Sequence, residues 1–150
     1  MAADVTELLR QAYEGEVLGE AFFGRLGELT DDADRKVKLD VLRRLEKSTK
    51  ALMATTIERL GVAVNEEDAK RSGEQFADGA AQLAWDELMA SLPEGTKQYA
   101  DLYERMRGLV DDDLVDRLIA HEAALSEFAR RELEGDEQSV APILALPHVQ

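Results

Sequence analysis

Three stretches of the chain carry apolar residues at spacings of three, four and seven, the period of a helix with one buried face. The first stripe runs through Leu9, Ala12, Glu16 and Phe23 and predicts a helix from about Asp4 to Leu29. The second runs through Leu39, Leu42, Glu46, Thr49, Met53 and Leu60, flanked by Val41, Leu45, Leu52 and Ile57, and predicts a helix from about Asp32 to Leu60. The third runs through Val115, Leu118, Glu122, Leu125 and Ala129, beside Leu114, His121 and Phe128, and predicts a helix from Asp111 to about Glu134. Acidic residues stand where each helix starts, and Gly61 and Gly135 stand where two of them end, as capping requires.

Between the second and third stripes the pattern weakens. Residues 61–80 are polar with little periodicity and read as a long connection, with a short helix near Glu66–Arg71. An apolar helical piece follows over Gln82–Ser91, in which Trp85 reads as a core anchor rather than a cofactor contact. Leu92-Pro93-Glu94-Gly95 predicts a break or kink. A helix then resumes from about Glu94 to Val110 on Tyr99, Leu102, Tyr103, Met106 and Leu109.

The short connection at residues 30–34 predicts an antiparallel hairpin of the first two helices. The whole pattern predicts an all-α protein, an antiparallel four-helix bundle with a long connection between helices 2 and 3. Residues 1–134 form the bundle domain. Residues 135–150 form a tail whose apolar half, VAPILALPHV, should lie on the bundle or on a partner and bury Ile143 and Leu144. A homodimer through this tail is one of the two arrangements left open.

Composition narrows the picture. One hundred and fifty residues suffice for one domain with a core, and 5% aromatics with three prolines fit an all-helical chain. The net charge of −14 argues against nucleic acid and anionic membrane as partners. There is no cysteine, which excludes disulfides and thiolate chemistry and makes a reducing cytoplasm the expected location. The start, MAADVTELLRQAYEGEV, does not read as a signal peptide, and no run approaches the ~20 apolar residues of a membrane span. Basic residues crowd the second helix, and Lys36, Arg43, Lys47 and Lys50 share one stripe. They are expected to pair with Glu7, Glu14 and Glu28 of helix 1, with Glu14 opposite Lys47 or Lys50; a docking face for an acidic partner or a second copy is the other reading. Glycines at 15, 19, 24 and 27 interrupt helix 1 and suggest close approach by a neighbour, room for a ligand, or simple tolerance.

The candidate chemistry lies in the stripes themselves. Glu16, Glu46 and Glu122 each occupy the middle of a core-facing stripe, where a carboxylate is costly unless paired, protonated or bound to metal. Their heights along a hairpin-built bundle are compatible, so they should converge on one buried site.

With these residues the chain resembles the ferritin-like superfamily, and rubrerythrins most of all. That resemblance implies a four-helix bundle in which helices 1 and 3 each give a Glu and helices 2 and 4 each give a Glu-x-x-His motif. Glu16 with Phe23 matches the first Glu and the aromatic seven residues later, with Phe in place of Tyr. Glu46-Lys47-Ser48-Thr49 matches the helix-2 motif with Thr where His belongs, and Glu122-Ala123-Ala124-Leu125 matches the helix-4 motif with Leu where His belongs. No buried Glu can be assigned to helix 3. The metal ligands implied are Glu16, Glu46 and Glu122, with Glu20 one turn along and His121 one residue out of register as substitutes; the metal implied is iron or manganese. The expected function is a ferritin-like bundle with a vestigial or atypical carboxylate site and no ordinary di-iron catalysis. The alternative is a metal-binding oxidoreductase or peroxidase of rubrerythrin type. A metal-free interaction module, its old ligands persisting as a buried hydrogen-bonded cluster with Thr49 and His121, is also open. No role is read for His148.

Overall fold

A computed structural model of the chain describes residues 4–149. The first three residues of the bundle domain and the last residue of the tail lie outside that range. The elements are α1 (Val5–Leu29), α2 (Ala33–Arg59), α3 (Glu66–Ala80), α4 (Trp85–Arg105), α5 (Asp112–Leu133), a short α6 (Ala141–Leu144) and a 3-10 turn at Pro147–Val149. Among the described residues there is no β-strand, and no helix is long and apolar enough to cross a membrane.

The helix starts are set by local chemistry. Asp4 accepts from the Thr6 N–H, Asp32 from the Arg35 N–H and Asp111 from the Asp113 N–H. Each satisfies a backbone donor that the first helical turn leaves unbonded. Gly61 and Gly135 follow α2 and α5 with positive φ, the left-handed conformation a side chain resists.

The cross-helix contacts define the directions. Gly19 lies against Glu46, Gly24 against Arg43 and Gly27 against Leu39, so α1 and α2 run antiparallel. Trp85 donates to Glu132 and Arg107 donates to Asp116, so α4 and α5 also run antiparallel. The neighbours of α1 are α2, α3 and α4, while α5 is flanked by α2 and α4. The buried faces of α1, α2, α4 and α5 thus meet around a common interior, and α3 lies along α1 and adds Ala77 to it.

Two expectations about the middle of the chain are corrected. Residues 61–80 are mostly a 15-residue helix rather than a long connection with a short helical piece. Asn65 caps it by accepting from the Asp68 N–H, and Glu66, Glu67 and Asp68 favour its N-terminal dipole end. It runs parallel to α1, since Tyr13 donates to Glu66 and Arg25 donates to Asp78. Its buried face is Ala69, Gly73 and Ala77, one small residue per turn. A Cβ on Gly73 would stand 2.3 Å from the Leu18 carbonyl oxygen, so the two helices touch backbone to backbone. The second correction is that α4 continues through Pro93 without a break. Proline removes one N–H from the helix, but Leu88 and Met89 before it and Leu102 and Tyr103 after it are all buried on the same interior. The packing of both halves outweighs one lost hydrogen bond.

The tail folds back on its own chain. Ile143 is fully buried, and α6 packs on α5 and α2. Leu144 is instead 44% exposed, because a single helical turn can present only one of two adjacent residues inward. Trp85 packs on the core edge, with the Arg35 guanidinium over its ring at 4.9 Å.

The basic residues of α2 do not pair as expected. Glu14 takes Arg10 at 2.8 Å and the Asn65 N–H at 2.9 Å, not Lys47 or Lys50. Lys50 reaches Glu20 at 3.3 Å and Lys36 donates to the Gly27 carbonyl oxygen at 2.8 Å. An arginine one turn away on the same helix reaches Glu14 with less ordering than a lysine on another.

Candidate carboxylate and histidine site

The interior is divided. At one end Leu8, Leu9, Met53, Ile57, Met106, Val115 and Leu118 form an apolar cluster. At the other, Phe23, Leu26, Leu39, Leu42, Leu45, Met89, Phe128 and Ile143 form a second. Between them lies a polar layer of Glu16 from α1, Glu46 and Thr49 from α2, Tyr103 from α4, and His121 and Glu122 from α5. All six are buried, with Thr49, Tyr103 and His121 at 0% exposure. The stripes explain the height of the layer. On α1, α2 and α5 the polar residue stands one or two turns from apolar residues that enter each cluster, so anchoring the ends fixes the middle.

His121 is the hub. Its Nδ1 lies 3.0 Å from the Leu118 carbonyl oxygen, which can only accept, so Nδ1 carries a proton. Its Nε2 then faces the carboxylates, 3.2 Å from Glu46 Oε2 and 3.5 Å from both Glu16 Oε1 and Glu122 Oε1. The ligand atoms of Glu16, His121 and Glu122 lie within 4.8 Å of one another. Tyr103 donates its hydroxyl to Glu16 Oε1 at 2.5 Å, while Glu16 Oε2 is buried with no hydrogen-bond partner.

No protein-family model, curated protein or solved structure matches the chain. What the layer can do follows from its own atoms.

The structure brings together four of the five candidate ligands: Glu16, Glu46, Glu122 and His121. The fifth, Glu20, stands apart with its carboxylate on the Lys50 ammonium. Thr49 donates to the Leu45 carbonyl at 2.8 Å, and its oxygen lies 3.0 Å from His148 Nε2. Since that hydroxyl proton is already used, the imidazole donates and the threonine accepts. The tail histidine therefore has a partner in the interior. No signal in the sequence pointed to it, because nothing local fixes where a tail of 16 residues lands. Tyr103 was read only as part of an apolar stripe. The available signal was that a tyrosine at a core position needs a partner for its hydroxyl. Where a carboxylate was sought on α4, the helix presents this phenol instead.

Burial dominates the electrostatics. Glu16 is held well above the usual carboxylate range by desolvation first and by the Glu46 charge second, with His121 pulling the other way. Glu46 is pushed up to about 8 by desolvation, with the charges of Glu122 and Glu20 adding to it. Glu122 is likewise pushed up to about 8, again by desolvation, with the Glu16 charge also raising it and His121 opposing. Desolvation and the nearby carboxylates hold the Tyr103 phenol well above its ordinary value, so it stays a hydrogen-bond donor. Burial lowers His148 to about 4, which keeps it neutral at pH 7.

Two chemical states fit this layer. Three acids can share protons among themselves and with the imidazole. Alternatively, the acids can ionise around a cation. The donor set, carboxylate oxygens with one imidazole nitrogen, suits Fe2+ or Mn2+ better than softer metals. The buried, unpartnered Glu16 Oε2 is an acceptor that a cation would satisfy. The imidazole already has the tautomer a metal ligand requires, with Nδ1–H fixed on a backbone carbonyl and Nε2 turned to the acids.

Proposed function

We propose that the chain is a ferritin-like four-helix bundle that binds a single divalent cation, iron or manganese, through Glu16, Glu122 and His121 with Glu46 beside them. In this reading α1, α2, α4 and α5 are the bundle helices. The α3 helix is the long connection between the second and third of them. The observation that carries the reading is the convergence of three ligand atoms on one buried point beside an unpartnered carboxylate oxygen.

The donor set supports one ion rather than two. A dinuclear centre of this kind takes four carboxylates and two imidazoles. Here Thr49 and Leu125 stand at the positions where the resemblance would place the imidazoles, and α4 offers Tyr103. The function proposed is accordingly cation binding at an atypical carboxylate site, not di-iron oxidase or peroxidase chemistry. His121 supplies the nitrogen ligand, Tyr103 orients Glu16 through its hydroxyl, and the apolar clusters on both sides exclude water.

The test is metal content after purification without chelator, followed by Mn2+ titration of the stripped protein. One equivalent per chain is expected, weakened at least tenfold by Glu122→Gln. Two equivalents would replace the mononuclear reading with a dinuclear one. Absence of binding at millimolar Mn2+ would overturn the proposal.

A further inference from the structure

Where α3 turns into α4, an apolar cleft is open at the surface. Its volume is about 640 Å³, with Leu18 and Phe22 of α1 as the floor, Phe76 of α3 and Leu88 and Leu92 of α4 as the walls, and Leu83 of the intervening turn beside them. Gln75 and Ser91 are the polar side chains of the lining. Phe76 is 62% exposed and Leu83 44% exposed, and the tail packs on α5 and α2 instead. Gly79 and Gly95 lie one in each wall, and a Cβ on either would meet open space, so the cleft has room for side chains from outside. The lining runs over residues 75–83 and 88–95, about two helical turns on each side. Charge here has one sign. Residues 72–96 hold five acids, Glu74, Asp78, Asp86, Glu87 and Glu94, and no Lys, Arg or His. Glu87 and Glu94 stand one turn to either side of the wall residue Ser91 on the same face of α4, which places them at the lip.

We propose that this cleft is the docking site of a basic amphipathic helix from a protein partner, its apolar residues seated between Phe76 and Leu92 and its Lys or Arg residues on Glu87 and Glu94. Two turns of apolar wall match helix anchors at spacings of three, four and seven. The cleft is built from helices, so an extended peptide finds no strand edge to pair with, whereas a helix arrives with its own backbone bonds satisfied. Burial of Phe76 and Leu83 supplies the attraction, and the acids at the lip select the charge of the partner. A second copy is the disfavoured occupant, since it brings its own net charge of −14 to an already acidic face. The inference uses no metal and no residue of the polar layer, so it stands apart from the cation reading.

The experiment is titration of the full chain into a fluorescent synthetic peptide of leucine and lysine, about four helical turns long, with the leucines on one helical face. Two controls accompany it: the same composition with the leucines spread around the helix, and the first pattern with glutamate in place of lysine. The amphipathic basic peptide is expected to bind once per chain, the spread peptide at least tenfold more weakly and the acidic one not at all. Phe76 is largely exposed, so Phe76→Ser should leave the melting temperature unchanged while weakening the basic peptide at least tenfold. Glu94→Lys should weaken it about threefold, as loss of an exposed charge pair does. The proposal is overturned by absence of binding with the chain at submillimolar concentration, by equal binding of the amphipathic and spread peptides, by binding of the acidic one, or by an undiminished affinity in Phe76→Ser. It is also overturned if the chain is a dimer that Phe76→Ser splits, since a second copy then covers the cleft. Mn2+ binding without peptide binding sinks this inference alone, and peptide binding without Mn2+ binding sinks the cation reading alone.

Discussion

At either end of the interior α1, α2, α4 and α5 meet through leucine, methionine and phenylalanine; in the middle they meet through three carboxylates, an imidazole, a phenol and a threonine hydroxyl. The same helices build both kinds of layer, a few turns apart. The apolar layers draw stability from area removed from water, about 1.5–3 kcal/mol for each large side chain fully buried. They do so whatever the pH or the ions present. The middle layer costs free energy unless its charges are matched, and its cost depends on what matches them. The ends hold the helices in register, and that register forces the acids together. The comparison separates residues that make the fold from residues that the fold holds in a state they would not choose.

The largest expected effect tests the apolar side of this comparison. Phe128 is fully buried, and Phe128→Ala should cost about 3–5 kcal/mol in urea unfolding. The loss should be the same at pH 5 and pH 8, and the same with Mn2+ or chelator. A loss that varies between those conditions would show that the two layers are not energetically separate. Next comes the tail. Ile143→Ala should cost about 2–5 kcal/mol, and truncation after Gly135 should lower the melting temperature at least as much, because α6 completes one apolar end. An unchanged melting temperature after truncation would remove the tail from the core.

A smaller effect concerns the outer helix. Gly73→Ala places a methyl group 2.3 Å from the Leu18 carbonyl oxygen, and backbone cannot step aside as a side-chain tip can. A loss of about 1–3 kcal/mol is expected, and it should also be independent of metal. No loss in thermal melting would mean that α3 does not lie against α1 as described.

These variants also mark what the sequence could and could not convey. The helices α1, α2 and α5 were legible to within a residue or two because their buried faces carry large residues at helical spacing. Their central glutamates were legible for the same reason, each interrupting a stripe of leucines. The helix α3 was not, because its buried face is Ala69, Gly73 and Ala77, which contributes almost no hydrophobic signal. Close backbone contact replaces large side chains there. The continuity of α4 was hidden by Pro93, whose local penalty is visible in the sequence while the tertiary packing that overrides it is not. At the site, the convergence of Glu16, Glu46 and Glu122 was expected from register. The hydroxyl of Tyr103 and the reach of His148 to Thr49 depend on side-chain direction and tail docking, which periodicity does not encode.

A further effect is a pH slope confined to the middle layer. Glu46 and Glu122 bind protons more tightly folded, at about 8, than at the ordinary value of 4.5. Their contribution to stability is therefore complete below about 4.5 and is lost as pH rises through about 8, by at most about 1.4 kcal/mol per pH unit for each proton. The surface carboxylates Glu7 and Glu127, lowered to about 2 by hydrogen bonds from neighbouring arginines, act in the opposite sense and only below about 4.5. Between pH 5 and 8 the falling slope belongs to the core acids, offset in part below about 6.5 by His148, which burial lowers to about 4 and which therefore acts in the opposite sense. Urea midpoints of the stripped protein should fall across that range, and Glu46→Gln should flatten the fall. A flat profile in the wild type would show the acids to be solvated.

The most direct measurement is the melting temperature of wild type and Glu16→Gln, each in chelator and each in Mn2+. The glutamine keeps an oxygen for the Tyr103 hydroxyl and removes a charge that the core resists. In chelator at neutral pH, Glu16→Gln should melt higher than the wild type. In Mn2+ it should melt lower, since a ligand is lost and the stabilisation that binding gives the folded state goes with it. That reversal of sign is the signature of a buried acid held in place for a cation. The same sign in both solutions, or no change in either, would contradict it.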